Sequence, residues 1–196
     1  MTDSNDEELA GRARSGDDAA FAALLGKYLS PIGTFLYQLV RDREVAEDLT
    51  QETFVKAWKH LNRFDPARSF RAWLYAIARN TALDHLRKRR EIPFASMRGE
   101  DEDDGPLEAV ADDRILPTEM LEREDAAREL EEKLALIRPD YRAILLLRFR
   151  EDFSLREIAE LSGESYNTTK SRYLRAAKAL RRIFIGKGAP ENGSRS

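Results

Sequence analysis

Between Thr168 and Phe184 six cationic side chains (Lys170, Arg172, Arg175, Lys178, Arg181 and Arg182) occur with no acid among them. Groups of that kind suit contact with phosphate oxygens. The polar run at the start of the same stretch, Tyr166-Asn167-Thr168-Thr169-Lys170-Ser171, carries the short donors and acceptors that reach base edges. A second set lies upstream: Asp48, Gln51 and Glu52 fall within one helical turn and offer two carboxylates and an amide to a basic partner surface. In a third, the loop Asn62-Arg63-Phe64-Asp65-Pro66-Ala67-Arg68-Ser69 precedes a helical stripe of Trp73, Asn80, Asp84 and Arg87. Aromatic groups beside cationic ones are able to stack on bases and pair with phosphate. Arg87-Lys88-Arg89-Arg90 adds charge that gives position rather than sequence.

All of this is recognition chemistry. The chain has no Cys, which excludes disulfides, thiolate metal sites and Cys nucleophiles. His60 and His85 stand apart, each read as a solvated helix-surface residue without a second ligand at metal spacing. No nucleophile sits beside a base, and no metal or other cofactor is expected.

The elements that must position these groups are helical. Ser154 with Glu157 three residues on is a capping box, Ile158, Ala159 and Leu161 give that helix an inward face, and Gly163 ends it. In the next helix Tyr173, Ala177, Leu180 and Phe184 form a buried seam, while Ser171, Arg175, Lys178 and Arg182 recur on another side. Two helices joined by a Gly turn, the second opening on polar residues, form a helix-turn-helix; the alternative is a helical hairpin with a solvated basic face. Further back, Phe21, Leu24, Leu25 and Tyr28, then Ile32, Phe35, Leu36 and Leu39, trace an apolar helical seam in which Pro31 marks a kink or a fresh start, and a helix pair is expected. A helix from about Glu44 to Leu61 should turn Val45, Leu49, Phe54, Trp58 and Leu61 inward, and Ser69 should cap another from Phe70 to about Arg90. Apolar periodicity returns at Glu119, and Pro139 precedes the strongly apolar helix Tyr141 to Phe149.

The fold class is therefore all-α: two small helical domains joined by a flexible acidic linker, the second holding the helix-turn-helix. The expected boundaries are 1–92, a linker at 93–118, a second domain at 119–186 and a tail at 187–196. The net charge of −3 averages opposed populations, since Gly99 to Asp113 carries eight acids and no base. Basic modules joined by a segment that DNA repels fit that division. No apolar run approaches the roughly 20 residues of a membrane span, and the acidic start Thr2-Asp3-Ser4-Asn5-Asp6-Glu7-Glu8 has the wrong sign for a signal peptide. Neither membrane insertion nor export is expected, and the protein is placed in the cytoplasm.

Asp48-Leu49-Thr50-Gln51-Glu52-Thr53-Phe54-Val55-Lys56-Ala57-Trp58, followed by Phe70-Arg71-Ala72-Trp73-Leu74-Tyr75-Ala76-Ile77-Ala78-Arg79-Asn80, closely resembles the core-binding and promoter-melting helices of sigma-70-family factors. With two modules and a short linker, the chain resembles the extracytoplasmic-function (ECF) sigma factors. That resemblance implies a promoter-specificity subunit with no catalysis of its own, whose partners are RNA polymerase core, promoter DNA and an anti-sigma factor. It implies that Asp48, Gln51 and Glu52 grip the polymerase clamp helices. It gives the minus-ten element to Asn62, Arg63, Phe64, Trp73, Asn80, Asp84, Arg87 and Lys88, with a flipped base captured in the loop and a place in the core as the alternative for Trp73. Lys170, Ser171, Leu174 and Arg175 match the minus-thirty-five-reading positions, with Asn167, Thr168, Thr169, Arg172 and Lys178 beside them. Asn167 and Thr169 depart from the family's usual Gly and Val. The acidic linker resembles the segment that threads toward the polymerase active centre. An operator-binding regulator that never joins polymerase and a nucleic-acid enzyme are the competing readings. The first lacks a use for DLTQETFVKAW, and the second lacks clustered catalytic groups.

Overall fold

The structure is a computed structural model that describes residues 4–91 and 124–185. Among them every regular element is a helix. The N-terminal module contains α1 (Ser4–Arg14), α2 (Asp18–Val40), α3 (Arg43–His60), a 3-10 turn at Leu61–Arg63 and α4 (Phe70–Glu91). The second contains α5 (Glu124–Ala135), α6 (Pro139–Phe149), α7 (Leu155–Ser162) and α8 (Tyr166–Ile185). The acidic linker and the tail expected from the sequence lie outside the described residues.

Caps set most boundaries. Asp17 accepts from Ala20 N at 3.1 Å and begins α2, and its bond to Arg12 holds its carboxyl below the usual carboxylate range. Asp42 begins α3 in the same way, accepting from Val45 N at 3.2 Å. The expected capping box forms in full on α7: Ser154 accepts from Glu157 N, and Glu157 accepts from Ser154 N. Gly163, at φ 66°, occupies the left-handed position that ends α7.

Two expectations about α2 are corrected. It is one 23-residue helix through Pro31 rather than a pair. Pro31 faces solvent, so its missing amide falls on the outer side, while Leu24, Tyr28, Ile32, Phe35, Leu36 and Leu39 carry a continuous buried seam past it. The helix is also long and apolar enough, by length and composition, to cross a membrane, although the sequence reading found no run of that length. Its buried seam packs against α1, α3 and α4, while Leu29 and Tyr37 stay exposed on the outer side.

The modules are docked, with α2 on α6 and α4 on α6 and α7, so that a single apolar core runs through both. Tyr75 stands at the joint. Its ring meets Phe35 of its own module and Phe153 of the other, each at 5.3 Å between centroids, and its hydroxyl donates to Glu151. Arg71 donates to the Glu151 carbonyl at 2.5 Å and lies 4.2 Å over the Phe153 ring. A second joint is the buried Arg142. It donates to the carbonyls of Leu134, Ala135 and Ile137 at the end of α5 and, at 2.7 Å, to Leu39 near the end of α2. Carbonyls at helix C-termini lack intrahelical donors and carry partial negative charge, so one guanidinium satisfies two helix ends. Burial nevertheless lowers its pKa to about 10.

Candidate nucleic-acid and partner interfaces

α3 buries one side, with Ala46, Leu49, Thr50, Thr53, Phe54 and Ala57 against the bundle. Asp48, Gln51 and Glu52 project from the other and are exposed as expected. Glu52 pairs with Lys56 at 2.7 Å, and Lys56 also donates to Thr81 of α4, which steadies the carboxylate's side of the face. Trp58, read from the sequence as a core residue, is 45% exposed. It sits seven positions beyond Gln51 and four beyond Phe54, so it falls at the edge of the outward stripe, with the Phe21 ring at 4.7 Å behind it. Val55, which the sequence reading passed over, is exposed between Gln51 and Trp58. The outward face thus combines acids, an amide and an apolar end.

Ahead of α4, Asn62 and Arg63 are exposed, as are residues 65–68. Phe64 is not: it is 2% exposed, and its ring packs at 5.6 Å from Phe70 and 5.3 Å from Trp73. The expectation that Phe64 touches the melted strand is corrected, because a ring 2% exposed and packed against Phe70 and Trp73 has no surface for a base. It backs Trp73, which is only partly buried. Asn80, Asp84, Arg87 and Lys88 are exposed; Asn80 accepts from Arg79, and Arg87 donates to Asp84 at 3.1 Å. At about 100° per residue, Trp73, Asn80, Asp84 and Arg87 share a stripe roughly opposite Arg71 and Tyr75. One face of α4 therefore docks on the second module, and the other stays open. His85, expected at the surface, is half-buried, with Nε2 enclosed.

In the helix-turn-helix Ser165 accepts from Thr168 N at 3.1 Å and begins α8. Asn167, Thr168, Lys170, Arg175 and Lys178 are exposed, and Ser171 and Leu174 are half-buried. Arg172 is held by Glu164 through two bonds of 2.5 Å, which fixes the turn to the helix. Thr169 departs from expectation. It is 1% exposed, its hydroxyl has no partner, and it faces the core rather than a groove of DNA. Four positions after Ser165 and four before Tyr173, it lies on the seam side of α8, which a polar residue type conceals.

Residues 24–92 match the Sigma-70 region 2 family and residues 127–180 match Sigma-70, region 4. The chain is 32% identical over 181 residues to the RNA polymerase sigma-H factor of Pseudomonas aeruginosa, covering 92% of this chain and 94% of that protein. It is 30% identical over 173 residues to the ECF RNA polymerase sigma factor SigW of Bacillus subtilis, covering 87% and 92%. This chain belongs to the ECF sigma factors of the sigma-70 family. It is a promoter-specificity factor for RNA polymerase. The fold of the sigma factor is similar to that of CnrH, solved in complex with the cytosolic domain of CnrY, at a TM-score of 0.66 and 25% identity, covering 94% of this chain and 99% of that one.

Sequence reasoning missed three parts of the sigma factor. The whole of α1 was read only for its charge, since Leu9, Ala10 and Ala13 make a weak apolar stripe. The Tyr75 and Arg142 joints were invisible because no periodicity links positions so far apart. Val55 and Trp58 were legible in part: both lie at helical spacing from Gln51, but their apolar character assigned Trp58 to the core.

Proposed function

We propose that the α3 face of Asp48, Gln51 and Glu52, completed by Val55 and Trp58, docks on core polymerase. Asn62, Arg63, Trp73, Asn80, Asp84, Arg87 and Lys88 hold the melted minus-ten strand. Asn167, Thr168, Lys170, Ser171, Arg172, Leu174, Arg175 and Lys178 engage the minus-thirty-five duplex. In this reading residues 1–92 and 119–186 are the two functional domains, 93–118 their linker, and polymerase alone performs the chemistry. The observation that carries it is the two-sided use of α4: the stripe assigned to the melted strand is open while the opposite side is occupied by the second module. CnrH was solved with a cytosolic protein segment, which supports a cytoplasmic location here and a comparable protein partner, the anti-sigma factor implied by family resemblance.

The test separates assembly from melting. Trp58→Ala should weaken binding to core polymerase by about 1 to 3 kcal/mol, as expected of a partly exposed aromatic anchor, with helicity unchanged by circular dichroism. Asn80→Ala should bind core normally and lose permanganate reactivity of promoter thymines. Wild-type core affinity for a folded Trp58→Ala would remove Trp58 from the interface, and normal reactivity for Asn80→Ala would move melting elsewhere.

A further inference from the structure

The loop at 62–69 is tied to the first helix at both ends. Arg14 donates from Nη1 to the Phe64 carbonyl at 3.2 Å, and Glu7 Oε1 accepts from Phe70 N at 3.1 Å. Between those ties the loop has little of its own: Ala67 N and Arg68 N donate to Asp65, at 3.0 and 2.9 Å, and six of the eight side chains are exposed. Phe70 N is one of the unsatisfied donors at the start of α4, which Ser69 relieves only at Ala72 N. A carboxylate at that place also suits the positive end of the helix.

α1 is itself well anchored. Asp6 is buried and accepts from Lys27 Nζ at 2.9 and 2.8 Å and from the Tyr28 hydroxyl at 2.5 Å. Ala10 and Ala13 are buried in the bundle core, and small side chains there let the helix lie close. The chain runs from a fixed helix, through two hydrogen bonds, to an exposed loop with few internal constraints.

We propose that Glu7 and Arg14 are positioning residues for promoter reading, with α1 acting as a strap that sets the conformation of the 62–69 loop against α4. This rests on the assignment of that loop to the minus-ten strand. Neither residue touches DNA in this scheme; they decide how sharply Asn62 and Arg63 distinguish one base from another.

The experiment uses holoenzyme and the single-stranded oligonucleotide that wild-type holoenzyme selects from a pool randomised over the minus-ten positions, compared with its single-base variants. Glu7→Ala and Arg14→Ala should each narrow the matched-to-mismatched affinity ratio by about tenfold, the scale of one lost cap bond, at unchanged affinity for core polymerase. Glu7→Gln keeps the accepting oxygen and should keep the ratio. A purely structural defect would instead weaken core binding and lower both affinities together. Arg14→Ala, on an exposed side chain, keeps the idea testable should Glu7→Ala fold poorly. If Arg63→Ala narrows the ratio while Arg14→Ala and folded Glu7 variants do not, the strap is overturned and the loop assignment stands. If Arg63→Ala and Asn62→Ala also leave the ratio intact, the loop assignment fails and the strap with it.

Discussion

Tyr75 shows how much one side chain can be asked to do. Its phenol is enclosed between two modules and donates to Glu151; burial first, and that hydrogen bond second, raise its pKa above the usual tyrosine value of 10.0. The sign of the pH dependence follows from which state holds the proton. Below pH 10 Tyr75 is neutral whether the protein is folded or not, and its contribution is fully present. Above pH 10 the unfolded chain releases the proton and the folded one keeps it, so stability falls as pH rises, by at most about 1.4 kcal/mol per pH unit from this group. Tyr75→Phe should therefore show a shallower alkaline decline than the wild type, with some loss of stability at neutral pH from the missing bond to Glu151. Thermal melts between about pH 8 and 11 compare the two slopes, and parallel slopes would refute this account of Tyr75.

At the scale of elements, α8 divides its residues more strictly than their types suggest. Thr169 is a hydroxyl on an apolar seam, and a buried hydroxyl without a partner disfavours the folded state by about 1 to 3 kcal/mol. Thr169→Val keeps the shape and removes the orphaned group. It should raise stability by about 1 kcal/mol and leave the minus-thirty-five preference unchanged, because the side chain does not reach outward. Calorimetry and competition among single-base promoter variants check the two halves, and a changed base preference would return Thr169 to the reading face. The same helix illustrates what was legible beforehand. Period gave α3, and the caps Ser69 and Ser154 gave α4 and α7, each to within a residue or two, whereas Asp42 and Ser165 emerged as start signals only in the structure. They also gave the exposed faces of Asp48, Gln51 and Glu52 and of Lys170 and Arg175. Thr169 and Trp58 were misplaced because residue type outvoted helical position, and Phe64 because an aromatic in an exposed loop reads as a base platform, although its ring turns back onto Phe70 and Trp73. α1 was missed because its hold on the bundle comes from Asp6, Glu7 and Arg14, polar residues whose partners are 21 to 63 positions away.

For the molecule as a whole, the packed arrangement and the task are at odds in size. A compact body of about 150 residues is roughly 40 Å across. The minus-ten and minus-thirty-five elements lie about 25 base pairs apart, some 85 Å of duplex at about 3.4 Å per pair. If each module engages one element, as proposed above, the docked modules separate to reach both, and the 33 peptide units from 91 to 124 span at most about 110 Å. Glu151→Ala removes the carboxylate that accepts from Tyr75 and pairs with Arg71 at 3.4 Å, while the backbone carbonyl at 151 keeps its bond from Arg71. It should shift the balance toward open molecules about tenfold, seen as a larger radius of gyration in solution scattering with helicity preserved; an unchanged radius would mean that Arg142 and the shared apolar core hold the modules without it. The two joints also differ in what weakens them. The Arg71 and Glu151 side chains keep 36% and 15% of their surface in water, so dissolved salt screens their attraction, whereas the enclosed contacts of Arg142 with helix carbonyls are screened far less. Raising ionic strength therefore loosens one latch while it weakens every phosphate contact the opened protein makes. The measured salt dependence of promoter binding is then the sum of two opposed slopes, and a count of phosphate contacts taken from it will come out too small.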